Sequence, residues 1–241
     1  MTQQIHMFIM LDGIDGCGKS TVISAWKKYL ANEGNAIFDL TDCWKERGAY
    51  PEYSELKKYD FIFSSEPSYV GIGKTIREEL IKNGSSYPPR AVAEAYSLDR
   101  LILYTKIIIP ALREGKYVIQ DRGVSTSLAY QPLMDKKLTA KVLATLPGNS
   151  LALKHRPDHL ILLSIDPGLA AARLKNRTGK QDNVIFERLA FQKKIANVFA
   201  SSAYQNLFKQ RGTHLHYLPA DDKIDIMNKQ AIDLIQNVFS L

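Results

Sequence analysis

Short apolar runs alternate along the chain with longer segments whose apolar positions recur at helical spacing. The apolar runs are MFIML (7–11), YDFIFS (59–64), YVIQD (117–121), HLILLSI (159–165) and HLHYL (214–218). Each is short and nearly continuous, as expected of strands buried on both faces. Helical patterns fall over 20–31, 72–82, 90–114, 134–146, 167–176, 184–209 and 222–239. Strands alternating with helices predict a three-layer α/β fold: a five-stranded parallel sheet with helices on both faces. Residues 41–58 fit neither period and read as an inserted hairpin or short helix. AIFDL, just before them, could be a further strand. No internal repeat or low-complexity stretch divides the 241 residues, so one domain over 1–241 is expected.

Composition narrows the partners. The chain is 45% hydrophobic, enough for a sizeable core, and carries a net charge of +7. Its basic residues are dispersed and form no tail, which favours small phosphorylated ligands over nucleic acid. No apolar stretch is long enough to cross a bilayer, and no signal peptide is recognisable. Cys17 and Cys43 have no metal-ligand spacing, and Cys17 sits where a disulfide would be awkward. A reducing, cytoplasmic setting is therefore expected.

The strongest chemical signal follows the first predicted strand. From Gly13 to Ser20 the chain reads G-x-x-x-x-G-K-S, between a strand and a helix. That context distinguishes a phosphate-binding loop from an ordinary glycine-rich turn. Glycines let successive N–H groups turn toward an anion, and the helix that begins here adds its positive end. Gly13, Ile14, Asp15, Gly16, Cys17, Gly18, Lys19, Ser20 and Thr21 are thus expected to bind a nucleoside triphosphate, which the family resemblance below makes ATP. Lys19 would reach the β- and γ-phosphates, and Ser20 would hold Mg²⁺.

In a parallel sheet, function collects at the carboxyl ends of strands. Glu66, Asp121, Arg122 and Asp166 all fall there. Asp121 is a second candidate for Mg²⁺, and Arg122 could clamp phosphate oxygens, or the two could be a structural pair. Tyr96 and Arg100, four apart on a predicted helix, share one face and could hold a planar base. Their spacing alone fits a core tyrosine beside a solvated arginine better. The polar stretch NRTGKQDN, with Lys175 just before it, brings Arg177 and Lys180 to a segment that could close over a triphosphate or be simply a solvated loop.

Together these pieces resemble the thymidylate kinase family of P-loop nucleoside monophosphate kinases. DGIDGCGKST, EPSYVGIGKTIREEL, AYSLDR, GKYVIQDRGVSTSLAYQ, PDHLILLSIDP and RTGKQDNVIFE occur in the family's order and spacing, from about Phe8 to about Phe208. The resemblance implies transfer of the γ-phosphate of ATP to a pyrimidine deoxynucleoside monophosphate, dTMP first. It further implies that Asp15 contacts the acceptor's sugar, Tyr96 stacks on the base and Arg100 bonds its edge. Arg122 would bridge the two phosphates, Thr126 would lie near the base, and Glu66 would belong to the acceptor site. Gly16 stands where some members carry a catalytic arginine, which leaves Arg177, in a mobile lid over about 175–184, as the catalytic cation. Homodimers are the family's habit, and LDRLILYTKIIIPAL is apolar around more than one face.

Three departures stand out. Ser65 replaces the arginine that usually precedes Glu-Pro near the acceptor phosphate, with Arg77 or Lys74 left to compensate. Gly123 replaces the tyrosine after Asp-Arg, and Asp182-Asn183 replaces the lid's Asp-Arg. Glu66-Pro67 also resembles deoxynucleoside kinases, in which a glutamate takes the proton of a 5′-hydroxyl, so a nucleoside acceptor is the alternative. A nucleotide-binding homologue without turnover is a third reading, against which Lys19, Ser20, Asp121 and Arg122 argue.

Overall fold

The structure, a computed structural model, describes residues 7–176, 186 and 188–239. Its sheet has six parallel strands rather than five, in the order β2-β3-β4-β1-β5-β6. They are β1 (Met7–Gly13), β2 (Ile37–Asp39), β3 (Phe61–Ser65), β4 (Tyr117–Asp121), β5 (His159–Ser164) and β6 (His214–Pro219). The extra strand, β2, is three residues at the sheet edge, too short to display a period. Every residue of β1 and β3 is buried, which explains their continuous apolar character.

Successive residues of a strand face opposite sides, and helices cover both. Tyr117 of β4 packs against Phe239 of α12 (Ile224–Phe239). On the other side, Phe8 meets Tyr104, in the π turn that joins α4 (Pro89–Leu103) to α5 (Ile109–Arg113). Helix α1 (Lys19–Asn32) shares the first side with α12, where the Trp26 indole donates to the Ala231 carbonyl at 2.8 Å. The widened turn at Tyr104–Ile108 has a local cause: Pro110 cannot donate to the carbonyl one turn earlier.

The segment after Leu40 is helical: α2 spans Leu40–Arg47, capped by Asp39, and a 3₁₀ turn follows at Tyr53–Leu56. α3 (Gly71–Thr75) runs into a π turn at Ile76–Leu80. The helix expected over 134–146 shrinks to α7 (Ala140–Ala144) between two unexpected helices. These are α6 (Val124–Met134) and α8 (Pro147–Lys154). α6 is buried nearly all round, so it shows no amphipathic stripe. In α8 the Pro-Gly pair mimics a turn, yet Pro147 opens the helix and Gly148 permits close approach to α4. A Cβ on Gly148 would lie 1.8 Å from the Ser97 carbonyl oxygen. α9 spans Pro167–Lys175, and the pattern expected over 184–209 divides at Ser201 into α10 (Leu189–Ala200) and α11 (Ser202–Lys209). Ser201 caps the second piece.

Candidate active site

The carboxyl ends of β1, β3 and β4 open into a cavity of about 670 Å³. The register places Leu11, Ser65 and Asp121 in one row across the three strands. Chain direction therefore brings the residues just after each strand to a single opening.

The loop after β1 forms one wall. Gly16 and Gly18 hold φ of 82° and 100°, left-handed values that side chains resist. Gly16 is also closely approached, since a Cβ there would meet the Ala170 carbonyl oxygen at 2.4 Å. No side chain caps α1, so its first N–H groups are left to serve a ligand. The Lys19 ammonium is held by the carbonyls of Gly13 (3.0 Å) and Ile14 (2.9 Å). Asp15, Gly16, Gly18, Lys19, Ser20 and Thr21 line the cavity. Gly13, Ile14 and Cys17 support the loop from below; Ile14 and Cys17 are buried, and burial pushes the Cys17 thiol up.

Arg122 stands between this wall and the next. It is the one non-glycine residue among those described with a left-handed backbone, at φ 64°. Such strain persists where surrounding contacts over-determine it. Its guanidinium pairs with Asp15, lies 3.4 Å from Asp12 and sits over the Tyr130 ring at 5.7 Å. Asp12 is wholly buried and also accepts from Ser125 (2.6 Å) and Thr126 (2.7 Å). Thr126 thus reaches the cavity wall with its hydroxyl committed to Asp12. Asp121 lines the same cavity, and its Oδ1 is buried without a hydrogen-bond partner. An uncommitted carboxylate oxygen in the cavity that Ser20 also lines fits a hard cation such as Mg²⁺.

Glu66, Tyr96 and Arg100 line the same cavity. The Glu66-Pro67 peptide is cis. Arg100 is fully buried rather than solvated. It meets Glu66 at 2.6 Å, Ser127 at 3.0 Å and the side-chain oxygen of Asn149, while its Nε–H has no partner. Gln120 donates to the other Glu66 oxygen at 3.0 Å. Burial pushes the Glu66 carboxyl up to about 7, against the pull of Arg100. Burial also raises the Tyr96 phenol to about 12, so it stays a neutral hydroxyl.

Other expectations divide. Asp166 caps α9 through the Leu169 N–H and does not line the cavity. Lys74 is an exposed partner of Glu78, whereas Arg77 lines the cavity. Arg177, Lys180, Asp182 and Asn183 lie outside the described residues, as does most of the expected lid. A Cβ on Gly123 would meet the flexible end of Met10 at 2.5 Å, so a larger side chain there requires that methionine to shift.

Two residues that organise the site escaped the sequence reading. Asp12 was hidden in the glycine-rich pattern. Gln192 of α10 accepts from the Asp15 N–H at 2.9 Å and donates to its carboxylate at 3.3 Å. Its signal was available: a polar residue aligned with Ile195 and Phe199 on a buried stripe.

Comparison with known proteins agrees with this geometry. The family model for thymidylate kinase matches residues 51–231. A probable thymidylate kinase of Pyrobaculum aerophilum is 31% identical over 198 residues, covering 81% of this chain and 82% of its own length. A thymidylate kinase of Prochlorococcus marinus is 28% identical over 235 residues, 97% of each chain. One of Kosmotoga olearia is 29% identical over 189 residues, 78% of each.

Proposed function

The chain belongs to the thymidylate kinase family, and from that premise we propose how its residues carry out the ATP-dependent phosphorylation of dTMP to dTDP. The carrying observation is that Arg122, ion-paired with Asp15 of the phosphate loop, lines the same cavity as Glu66, Tyr96 and Arg100. A cation there can touch donor and acceptor phosphates together, and its planar fork suits two oxygens.

In this reading the loop N–H groups and Lys19 hold the β- and γ-phosphates of ATP. Arg122 leaves its carboxylate partners to meet the transferring group. Ser20 and Asp121 would hold Mg²⁺, which when bound neutralises charge on the phosphate oxygens. Tyr96 stacks on the thymine, and the unpartnered Arg100 Nε–H supports its role at the base edge. Asp15 faces the sugar, with Thr126 near the base. Arg177, in a mobile lid, remains the proposed cation for charge developing during transfer. The whole chain acts as one kinase domain.

Glu66 accepts from Gln120 through one oxygen and is ion-paired with Arg100 through the other, which makes no hydrogen bond; the ion pair suits fixing the arginine better than taking a proton from a 5′-hydroxyl. A homodimer is part of the proposal, supported by Leu98, 46% exposed on α4. So is a cytoplasmic setting, supported by the buried free thiols of Cys17 and Cys43.

A coupled assay with ATP and, in turn, dTMP, dUMP, thymidine or no acceptor tests the assignment. Turnover with dTMP and none with thymidine is expected. Turnover with thymidine but not dTMP would overturn it.

A further inference from the structure

The acceptor's 5′-phosphate is a dianion, and a dianion entering a partly desolvated cavity needs cationic partners. The cations of the acceptor wall are largely committed. Arg100 is matched by Glu66 at 2.6 Å, and Arg122 by Asp12 and Asp15. Arg77 donates its Nε–H to the carbonyls of Pro67 (2.9 Å) and Ser68 (3.1 Å). Ser65, at the cavity end of β3, contributes a neutral hydroxyl.

That hydroxyl lies 3.1 Å from the Thr41 hydroxyl of α2. Thr41 and Lys45 are one helical turn apart, so they share one face of α2. The Lys45 ammonium sits 5.0 Å from the centre of the Tyr69 ring, and Tyr69 lines the cavity. The Arg77 guanidinium stacks on the same ring at 3.9 Å. Among the described residues Lys45 is in no ion pair.

We propose that Lys45, presented by α2 beside Ser65 and Tyr69, is a binding residue for the 5′-phosphate of the acceptor. The proposal rests on dTMP being that acceptor. It gives residues 40–47 a purpose: a helix at the sheet edge that carries a flexible cation to a site where the strand itself offers only serine.

Comparing a phosphorylated and an unphosphorylated ligand isolates this role. Calorimetric Kd values for dTMP and thymidine would be measured on the parent, Lys45→Ala, Lys45→Arg and, as a control, Lys74→Ala. Loss of one charge-assisted contact predicts a dTMP Kd weakened about tenfold in Lys45→Ala. The thymidine Kd should stay within about twofold, Lys45→Arg should restore most of the affinity, and Lys74→Ala should match the parent. A dTMP Kd within about twofold of the parent in Lys45→Ala overturns the proposal. Equal weakening of dTMP and thymidine also overturns it, because the effect would not belong to the phosphate. A parent that binds thymidine but not dTMP is a different result, and overturns the function on which the proposal stands.

Discussion

Lys19 shows how a single residue divides its work between fold and chemistry. Its ammonium rests on two loop carbonyls, near enough to the cavity to move onto a phosphate. Lys19→Ala should lower kcat by on the order of 10²–10³-fold or more, since it removes a charge aimed at the transferring group. The fold should change little, because loop geometry is set by Gly16 and Gly18. Steady-state kinetics and a melting curve check both parts, and near-normal turnover would remove Lys19 from the mechanism. Residues of this kind were legible in the sequence because their chemistry demands a fixed local spacing. Asp12, Gln120 and Asn149 were not, because their roles depend on partners far along the chain. At Gly123 the end of Met10 lies where a side chain would go, so a larger residue there would need Met10 to move.

Elements were legible in proportion to how strongly one face was buried. The core strands of the sheet emerged from continuous apolar runs, and α12 from its clear stripe. α6, buried on almost every side, and β2, three residues long, gave no periodic signal. α10 is instructive because its stripe contains Gln192. This side chain ties α10 to the phosphate loop through the Asp15 N–H and carboxylate, and it also donates to the Phe186 carbonyl. Phe186 packs edge-on against Tyr130, the ring beneath Arg122. The loop, the segment before α10 and the Arg122 pocket therefore share one buried polar link. Gln192→Ala should cost about 1–3 kcal/mol of stability, because the Asp15 N–H loses its acceptor. It should also weaken ATP and dTMP binding together, since Asp15 borders both. Chemical unfolding and paired Kd measurements test this, and unchanged values in both would reduce Gln192 to a packing residue.

At the scale of the whole molecule, Glu66 and His159 show pH acting on buried groups in opposite directions. Burial raises Glu66 from an ordinary carboxylate value of 4.5 to about 7. Between those values the folded state keeps a proton that the unfolded state has lost, so stability falls as pH rises through the window. His159 behaves inversely. Burial, then His216 and His214, lower it from 6.5 to about 4, with Asp158 pulling weakly the other way. Its ring Nδ1 lies 2.9 Å from His216 Nε2, and its ring stacks on His214 at 5.2 Å. Here the unfolded state holds the extra proton, so stability falls as pH drops from 6.5 toward 4. Each group contributes a slope of at most about 1.4 kcal/mol per pH unit. They sit three strands apart, at least about 14 Å at ordinary strand spacing, and at opposite ends of their strands, so their effects should add. From pH 4.5 to 6.5 the slopes oppose, and the parent's stability should be flatter than either single variant's. Glu66→Gln should leave the histidine slope, with stability rising as pH rises. His159→Gln should leave the glutamate slope, with stability falling. Urea unfolding of the three proteins at several pH values in this window measures all the slopes. Parallel profiles for the parent and Glu66→Gln would show that Arg100 keeps Glu66 ionised throughout, with no proton taken up on folding.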